Sequence, residues 1–382
     1  MGEKEGFLPF YKGFQTICMH HSQDPAQWKS KAVIPHIVLS TTFQLDNPKK
    51  PQDYVYSRAG NPTRTILQNV LSAINRGKYS LCYSSGISAL VAVLGVLNTG
   101  QHVVCNSEVS EETYQVFNNI AKNYNICTTF TNFNDLSNVC AAVQENTKLI
   151  WADNPTDPLL NIIDLCSLAD IAKAKDVLLG INNTFLTPYL QRPLEFGADI
   201  VMQSLTKYIN GHSDVTMGNV TVNSDDLHDK LRQAQIAAGM IPSPFDCYQA
   251  LRGIKTLNIR MDNYIKKFCK NGEVSRNTSN CDKSLKTHPK HDVFRCQASG
   301  HSGGLPESKR LLKSLKLFTI TDIEGGCEST IQIPSVMSHN FMPGIQKTLL
   351  CITDNLIRVS IGLENICDLI SDLEQSLDNL RN

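Results

Sequence analysis

The chemistry of this chain centres on a lysine set among hydroxyls and turn residues: Ser204-Leu205-Thr206-Lys207-Tyr208-Ile209-Asn210-Gly211-His212-Ser213-Asp214. The apolar run Asp199-Ile200-Val201-Met202 just before it reads as a buried strand, which puts Lys207 at the strand's exit. An amine held there and partly desolvated can lose its proton and attack an aldehyde. Ser204 and Thr206 alternate to one face of the strand end, where two hydroxyls can hold a phosphate. That combination is the layout expected of a Schiff base to pyridoxal 5'-phosphate. Ser85-Gly86-Ile87 reads as the other half of a phosphate cradle, a small turn opening a helix whose first N–H groups lie at the positive end of its dipole. Arg358 is a charge inside the apolar run Leu356-Ile357-Arg358-Val359-Ser360-Ile361, and such a residue is either edge-exposed or paired.

These side chains need a scaffold, and the hydrophobic pattern supplies one. Ile66, Leu67, Val70, Leu71 and Ile74 recur at helical spacing, and Gly77 is expected to end that helix. Ala89 to Leu97 is expected to be helical, as is Leu165 to Lys175. Strand-like runs fall at Leu81 to Tyr83, His102 to Cys105, Leu149 to Ala152, Val177 to Ile181 and Ile200 to Met202. The alternation predicts an α/β fold with a mostly parallel sheet covered by helices. Ser85, Asp153, Asn182 and Lys207 each fall at or just past a strand's carboxyl end, where such sheets gather their ligands. A smaller domain is expected from residue 260, closing with a strand over Leu356 to Ile361 and a helix over Ile366 to Leu380.

Composition narrows the class. The chain has 382 residues, 41% of them hydrophobic, enough for a large domain and a smaller one. A formal net charge of zero gives no electrostatic reason to expect nucleic acid or an anionic membrane. No apolar stretch reaches membrane-spanning length, and Met1 to Gly6 lacks the pattern of a signal peptide. The 13 cysteines are odd in number, scattered and without a Cys-x-x-Cys pair, which fits reduced thiols in the cytoplasm. His288, His291 and His301 are irregularly spaced in a polar stretch and read as solvated rather than metal-binding.

The motifs resemble those of the pyridoxal phosphate enzymes of cysteine and methionine metabolism. Beside the lysine string, Leu39-Ser40-Thr41-Thr42-Phe43, Tyr56-Ser57-Arg58-Ala59-Gly60-Asn61-Pro62-Thr63, Ser84-Ser85-Gly86 and Asn183-Thr184-Phe185 follow in the family's order. Gln23-Asp24-Pro25, Gln191-Arg192-Pro193-Leu194 and Pro242-Ser243-Pro244 are similar to the animal-type cystathionine gamma-lyase branch. The resemblance implies the type I, aminotransferase-like fold: a seven-stranded large domain and a smaller C-terminal α+β domain. It implies an arm over residues 1–60 reaching a neighbouring subunit, a cofactor domain over 61–259 and a small domain over 260–382. It implies a homotetramer in which Tyr56 and Arg58 complete the neighbour's phosphate site. It assigns the substrate α-carboxylate to Arg358, for which a bidentate fork is suited, and the substrate is a sulfur-containing amino acid.

Several positions depart from that pattern. Asn182 stands where the family has the aspartate that keeps the pyridine nitrogen protonated, and the protonated ring is the electron sink. Ser110 stands for the tyrosine that stacks on the ring and moves protons, Gln115 for an arginine, Asp157 for an asparagine facing the phenolic oxygen, and Asp322 for a glutamate near the substrate. Residues 272–307 are polar and turn-rich where a helix and an inner strand are expected. Three readings stay open on sequence alone. The protein is a lyase cleaving cystathionine to cysteine, 2-oxobutanoate and ammonia, with reduced activity. Alternatively it is an inactive paralogue that binds cofactor and assembles with an active partner, or the product of a decaying gene copy.

Overall fold

The computed structural model describes residues 13–47, 52–277, 297–298 and 304–380, with side chains of 268–277 and 297–298 left aside. A seven-stranded sheet carries β1 (Tyr79–Tyr83), β2 (His102–Asn106), β3 (Cys127–Thr131), β4 (Thr147–Asp153), β5 (Leu178–Asn182), β6 (Ile200–Ser204) and β7 (Gly218–Val222). Their order is β1-β7-β6-β5-β4-β2-β3. β7 runs antiparallel to both β1 and β6, and every other pairing is parallel. Six strands therefore point one way, and the carboxyl ends of β1, β6, β5 and β4 share one edge.

The inner strands are buried on both faces, as the continuous runs Val103-Val104-Cys105 and Leu149-Ile150-Trp151-Ala152 require. One face packs Leu90, Val93 and Phe117 against Trp151 and Met202. The other packs Leu168 and Ala172 against Ile150, Ile181 and Val201. A third cluster joins the helix Pro62–Ile74 to Leu205, Ile209 and Leu251, beneath the lysine loop.

The expected elements form, with shifted ends and two additions. β3 and β7 were not expected: Thr128-Thr129-Phe130 is only half-buried at a sheet edge, and Gly218-Asn219-Val220-Thr221 reads as turn and polar. The helix over Pro62–Ile74 turns at Arg76, with φ +54°, and not at Gly77, whose N–H instead reaches back to the Ser72 carbonyl. The helix expected from Ala89 begins at Gly86 and ends at Leu94.

A second sheet holds β8 (Gln297–Ala298), β9 (Thr319–Ile320), β10 (Thr330–Gln332) and β11 (Ile357–Ser360), in the order β8-β11-β10-β9. Helices Leu305–Ser314 and Ile366–Asp378 cover it through Leu311, Leu312 and Leu369. Of the segment 272–307, the helix Leu257–Asn277 supplies the beginning, Leu305–Ser314 begins within its end, and Gln297–Ala298 pairs with β11. The rest of it, His288, His291 and His301 included, lies outside the described residues. Residue 260 falls inside the helix Leu257–Asn277, which runs without a break from one sheet toward the other.

Candidate active site

Lys207 follows β6 in a wide helical turn, Leu205–Ile209, whose own backbone at Lys207 is non-helical (φ −87°, ψ −122°). Two things hold that turn. Arg260, buried on the long helix, donates to the carbonyls of Tyr208 (2.5 Å), Ile209 (3.0 Å) and Gly253 (2.8 Å). From the small sheet, Gly325 (φ +83°) lies so close that an added Cβ would stand 2.7 Å from the Tyr208 nitrogen. Only glycine suits both that conformation and that contact.

The Lys207 amine is buried and forms an ion pair with Glu324, Nζ to Oε2 3.0 Å, without the alignment of a hydrogen bond. Burial pushes the amine down, but Glu324, Glu112 and Asp157 outweigh it, and it stands above the ordinary lysine range. Phe185 lies beneath both site cations, its ring centroid 5.5 Å from Lys207 Nζ and 5.2 Å from Arg358 Cζ.

Arg358, on β11, is paired rather than edge-exposed. Its Nη1 meets Asp157 Oδ1 at 2.9 Å and Glu324 Oε1 at 2.6 Å. All three side chains are less than a tenth exposed. Burial alone would raise Asp157, but Arg358, His339 and Lys207 hold it below the ordinary carboxylate range. The Asp157 loop is fixed by Glu108, which accepts from Thr156 Oγ1 at 2.9 Å and Asn161 Nδ2 at 2.6 Å.

The Ser85-Gly86 turn opens a helix, and one strand, β7, separates β1 before it from β6, which ends at Ser204. Ser85 caps the helix Gly86–Leu94, its Oγ accepting from Ser88 N–H at 3.0 Å. The N–H groups of Gly86 and Ile87 belong to the first turn, which has no helical acceptors of its own. A Cβ on Gly86 would stand 3.2 Å from Met202 Cε and 3.5 Å from Ser204 Oγ, so the turn lies directly against the Ser204 end of β6. First-turn N–H groups set beside the Ser204 hydroxyl are of the kind that suit a phosphate. Thr206 differs from expectation: its hydroxyl accepts from Met217 N–H at 3.0 Å and is tied to the backbone of the next segment.

Asn182 ends β5 with Oδ1 accepting from Thr184 N–H (3.2 Å) and Thr184 Oγ1 (2.6 Å). This fixes the orientation of the amide and leaves Nδ2 as its remaining polar end. Next to it in register stands Asp153, at the end of β4. Asp153 is buried, accepts from Ser110 N–H, Thr113 Oγ1 and Trp151 Nε1, and is pushed up to about 6 by burial. Ser110 is a helix cap, its Oγ bonded to Thr113, which explains a serine there without any proton-transfer role.

The remaining expected residues have other partners or face outward. Gln115 bonds to Asn119 on its own helix. Tyr56 is 47% exposed, with Arg58 stacked on its ring at 5.6 Å. Asp322 is exposed, and the acid that faces the lysine is Glu324, two residues on. Glu324 and Arg260 are functional positions that the sequence does not single out. The one signal available for the first is a charge directly before Gly325-Gly326.

A seven-stranded, mostly parallel sheet with a lysine past the carboxyl end of one strand, joined to a smaller sheet that carries a buried arginine, defines an α/β protein of type I fold. The family profile described as Cys/Met metabolism PLP-dependent enzyme matches residues 15–378. The chain is 40% identical to cystathionine gamma-lyase of Macaca fascicularis, covering 98% of this chain and 95% of that one, and 40% identical to the mouse enzyme. Among solved structures, metB of Corynebacterium glutamicum superposes with a TM-score of 0.91 at 34% identity, covering 98% of this chain and all of that one. Cystathionine gamma-lyase of Lactobacillus plantarum complexed with L-serine superposes equally well at 30% identity. The chain belongs to the Cys/Met metabolism PLP-dependent enzymes, its cofactor is pyridoxal phosphate, and it is a cystathionine gamma-lyase- or synthase-like protein of amino-acid metabolism. Among the described residues no helix is long and apolar enough to cross a membrane, and no group of His, Cys, Asp and Glu is set to hold a metal.

Proposed function

We propose that the protein carries pyridoxal phosphate on Lys207 and cleaves the γ C–S bond of cystathionine or a close sulfur amino acid, slowly. When bound, the cofactor supplies an electron sink for charge released at the substrate's α carbon. Ser85, Ser204 and the first-turn N–H groups of Gly86 and Ile87 hold its phosphate. The Lys207 amine moves protons at the α and β carbons, and its ion pair with Glu324 Oε2 at 3.0 Å positions it. Arg358 binds the α-carboxylate, and Phe185 keeps water from beneath both cations.

The observation that carries the slow reading is the pinned amide of Asn182. With Oδ1 taken by Thr184, the end left for a ring nitrogen is an N–H donor. Such a donor favours the unprotonated ring, which is the weaker sink. A charge pair at about 3 Å is worth roughly 5 kcal/mol at an effective dielectric of about 20, as an upper figure. Each 1.36 kcal/mol is about tenfold in rate, so a loss of several hundredfold is expected.

We infer a homo-oligomer, a tetramer by family likeness, from the arm. Val33 is 80% exposed and Leu39 67%, beside exposed Ile34, Val55 and Tyr56, a run of apolar surface that suits a neighbouring copy. Unpaired Cys127, Cys140 and Cys166 at the surface favour the reducing cytoplasm. A second reading, a cofactor-binding partner of an active paralogue, draws on Ser110: its hydroxyl serves the fold and leaves no proton-transfer group there.

The test is the visible spectrum of the purified protein with excess cofactor, borohydride reduction with peptide mapping, then an assay for 2-oxo acid released from cystathionine. A pyridoxyl label on Lys207 with slow 2-oxo acid release is expected. Label without release favours the second reading, and no label refutes cofactor binding.

A further inference from the structure

Arg358 is already engaged by two carboxylates of its own chain. One nitrogen, Nη1, faces Asp157 at 2.9 Å and Glu324 at 2.6 Å, and the whole cluster is buried. An incoming α-carboxylate would be a third carboxylate on one guanidinium. An end-on, two-pronged clasp needs Nη1 and Nη2 together, and Nη1 is taken. The two acids come from opposite parts of the fold. Asp157 follows β4 in the large sheet and Glu324 precedes Gly325 in the small-sheet loop. Their positions are enforced, since Glu108 pins the Asp157 loop and Gly325 packs on the Tyr208 backbone.

We propose that Asp157 and Glu324 act as an internal competitor for the carboxylate fork of Arg358, so that they determine how strongly this site selects ligands bearing an α-carboxylate. The proposal rests on the cofactor-site reading above and adds two specificity-determining residues to it. Charge counting supports it. Free Lys207 and Arg358 balance Asp157 and Glu324. With both positive charges already matched within the cluster, Arg358 offers little net attraction to a further anion, whereas a plain amine is unaffected by that competition.

The experiment uses full-length protein loaded with pyridoxal phosphate and two small probes, glycine and methylamine, which share an amine and differ by the carboxylate. Each is titrated while the visible absorbance of the bound cofactor is followed, and the ratio of their dissociation constants is the readout. Wild type is expected to bind the two within a few-fold of each other. Asp157→Asn and Glu324→Gln should each shift the ratio about tenfold toward glycine, equal to about 1.4 kcal/mol, and the ratio cancels any change in how the shared amine binds. The variants are near-isosteric, and if one fails to fold the other decides. The proposal is overturned if wild type already favours glycine strongly and neither variant moves the ratio. Absence of a cofactor band in wild type overturns instead the cofactor-site reading, and with it this one.

Discussion

Alanine at Gly218 should empty the cofactor site while leaving the sheet standing. Gly218 opens β7, opposite the Ser85 turn, and an added Cβ would lie 2.3 Å from the Ser85 carbonyl oxygen and 2.9 Å from Ala89 Cβ. Ordinary carbon-to-oxygen contacts sit near 3.3 Å, so something must move by about 1 Å. β7 is paired on both sides, Gly218 itself facing Tyr83 and Ser204, so the strand has nowhere to retreat. The Ser85-Gly86 turn moves instead, carrying the phosphate donors with it. Overpacking of this kind costs about 1–3 kcal/mol of stability. A misplacement of about 1 Å in a positioning group costs about 100-fold. Equilibrium titration of apoprotein with pyridoxal phosphate should therefore show affinity about 100-fold weaker, beside a thermal midpoint lowered by only a few degrees. Gly344→Ala is the control, since nothing lies within 4 Å of its added Cβ. A Gly218→Ala protein that binds cofactor within twofold of wild type would show that the turn does not hold the phosphate.

Asn182→Asp should raise 2-oxo acid release from cystathionine, by tenfold or more, but only in part toward an ordinary lyase, because the new carboxylate stands in register beside Asp153. Asp153→Asn in the same background should increase the gain, and a double variant no faster than the single would count against this coupling. Arg260→Ala removes three hydrogen bonds to carbonyls, those of Tyr208, Ile209 and Gly253, and should cost about 3 kcal/mol in denaturant unfolding, with cofactor occupancy falling in step. Asp153, pushed up to about 6 by burial, keeps its proton in the folded chain at pH values where the unfolded chain has released it. Stability contributed by this group is therefore present below the unfolded value near 4 and declines as pH rises from about 4 to 6. Chemical denaturation across that range should show the decline in wild type and a flatter profile in Asp153→Asn. Asp157 has the opposite sign: its stabilisation is present above about pH 4 and lost as pH falls through its lowered value.

The large sheet was legible because its inner strands are short apolar runs between turns, and burial on both faces demands such runs. β7 hid because its buried Asn219 and Thr221 form a polar ladder with Ser80 and Gln203, satisfied only across strands that sequence cannot place. Lys207, the Ser85 turn and Arg358 were readable because each breaks its local pattern: a charge at a strand's end, a small turn before an apolar helix, a charge inside an apolar strand. Glu324 and Arg260 break no such pattern. A glutamate in a loop and an arginine on a helix are ordinary surface residues until distant chain closes over them. Family position places Asp322 near the substrate, whereas the carboxylate that pairs with the lysine is Glu324, which no family position marks.

The lysine's surroundings also set when the site exists. A chain made from its N-terminus has every strand of the large sheet by Val222 and could pack that sheet early. Yet Lys207 then lacks Glu324, Tyr208 lacks the Gly325 loop, and Cys327 has not reached the Gly211 carbonyl, to which it donates at 3.0 Å. Arg358 comes later still. Recognition of a substrate carboxylate is thus tied to completion of nearly the whole polypeptide, while the lysine and the Ser85 turn are made with the large sheet.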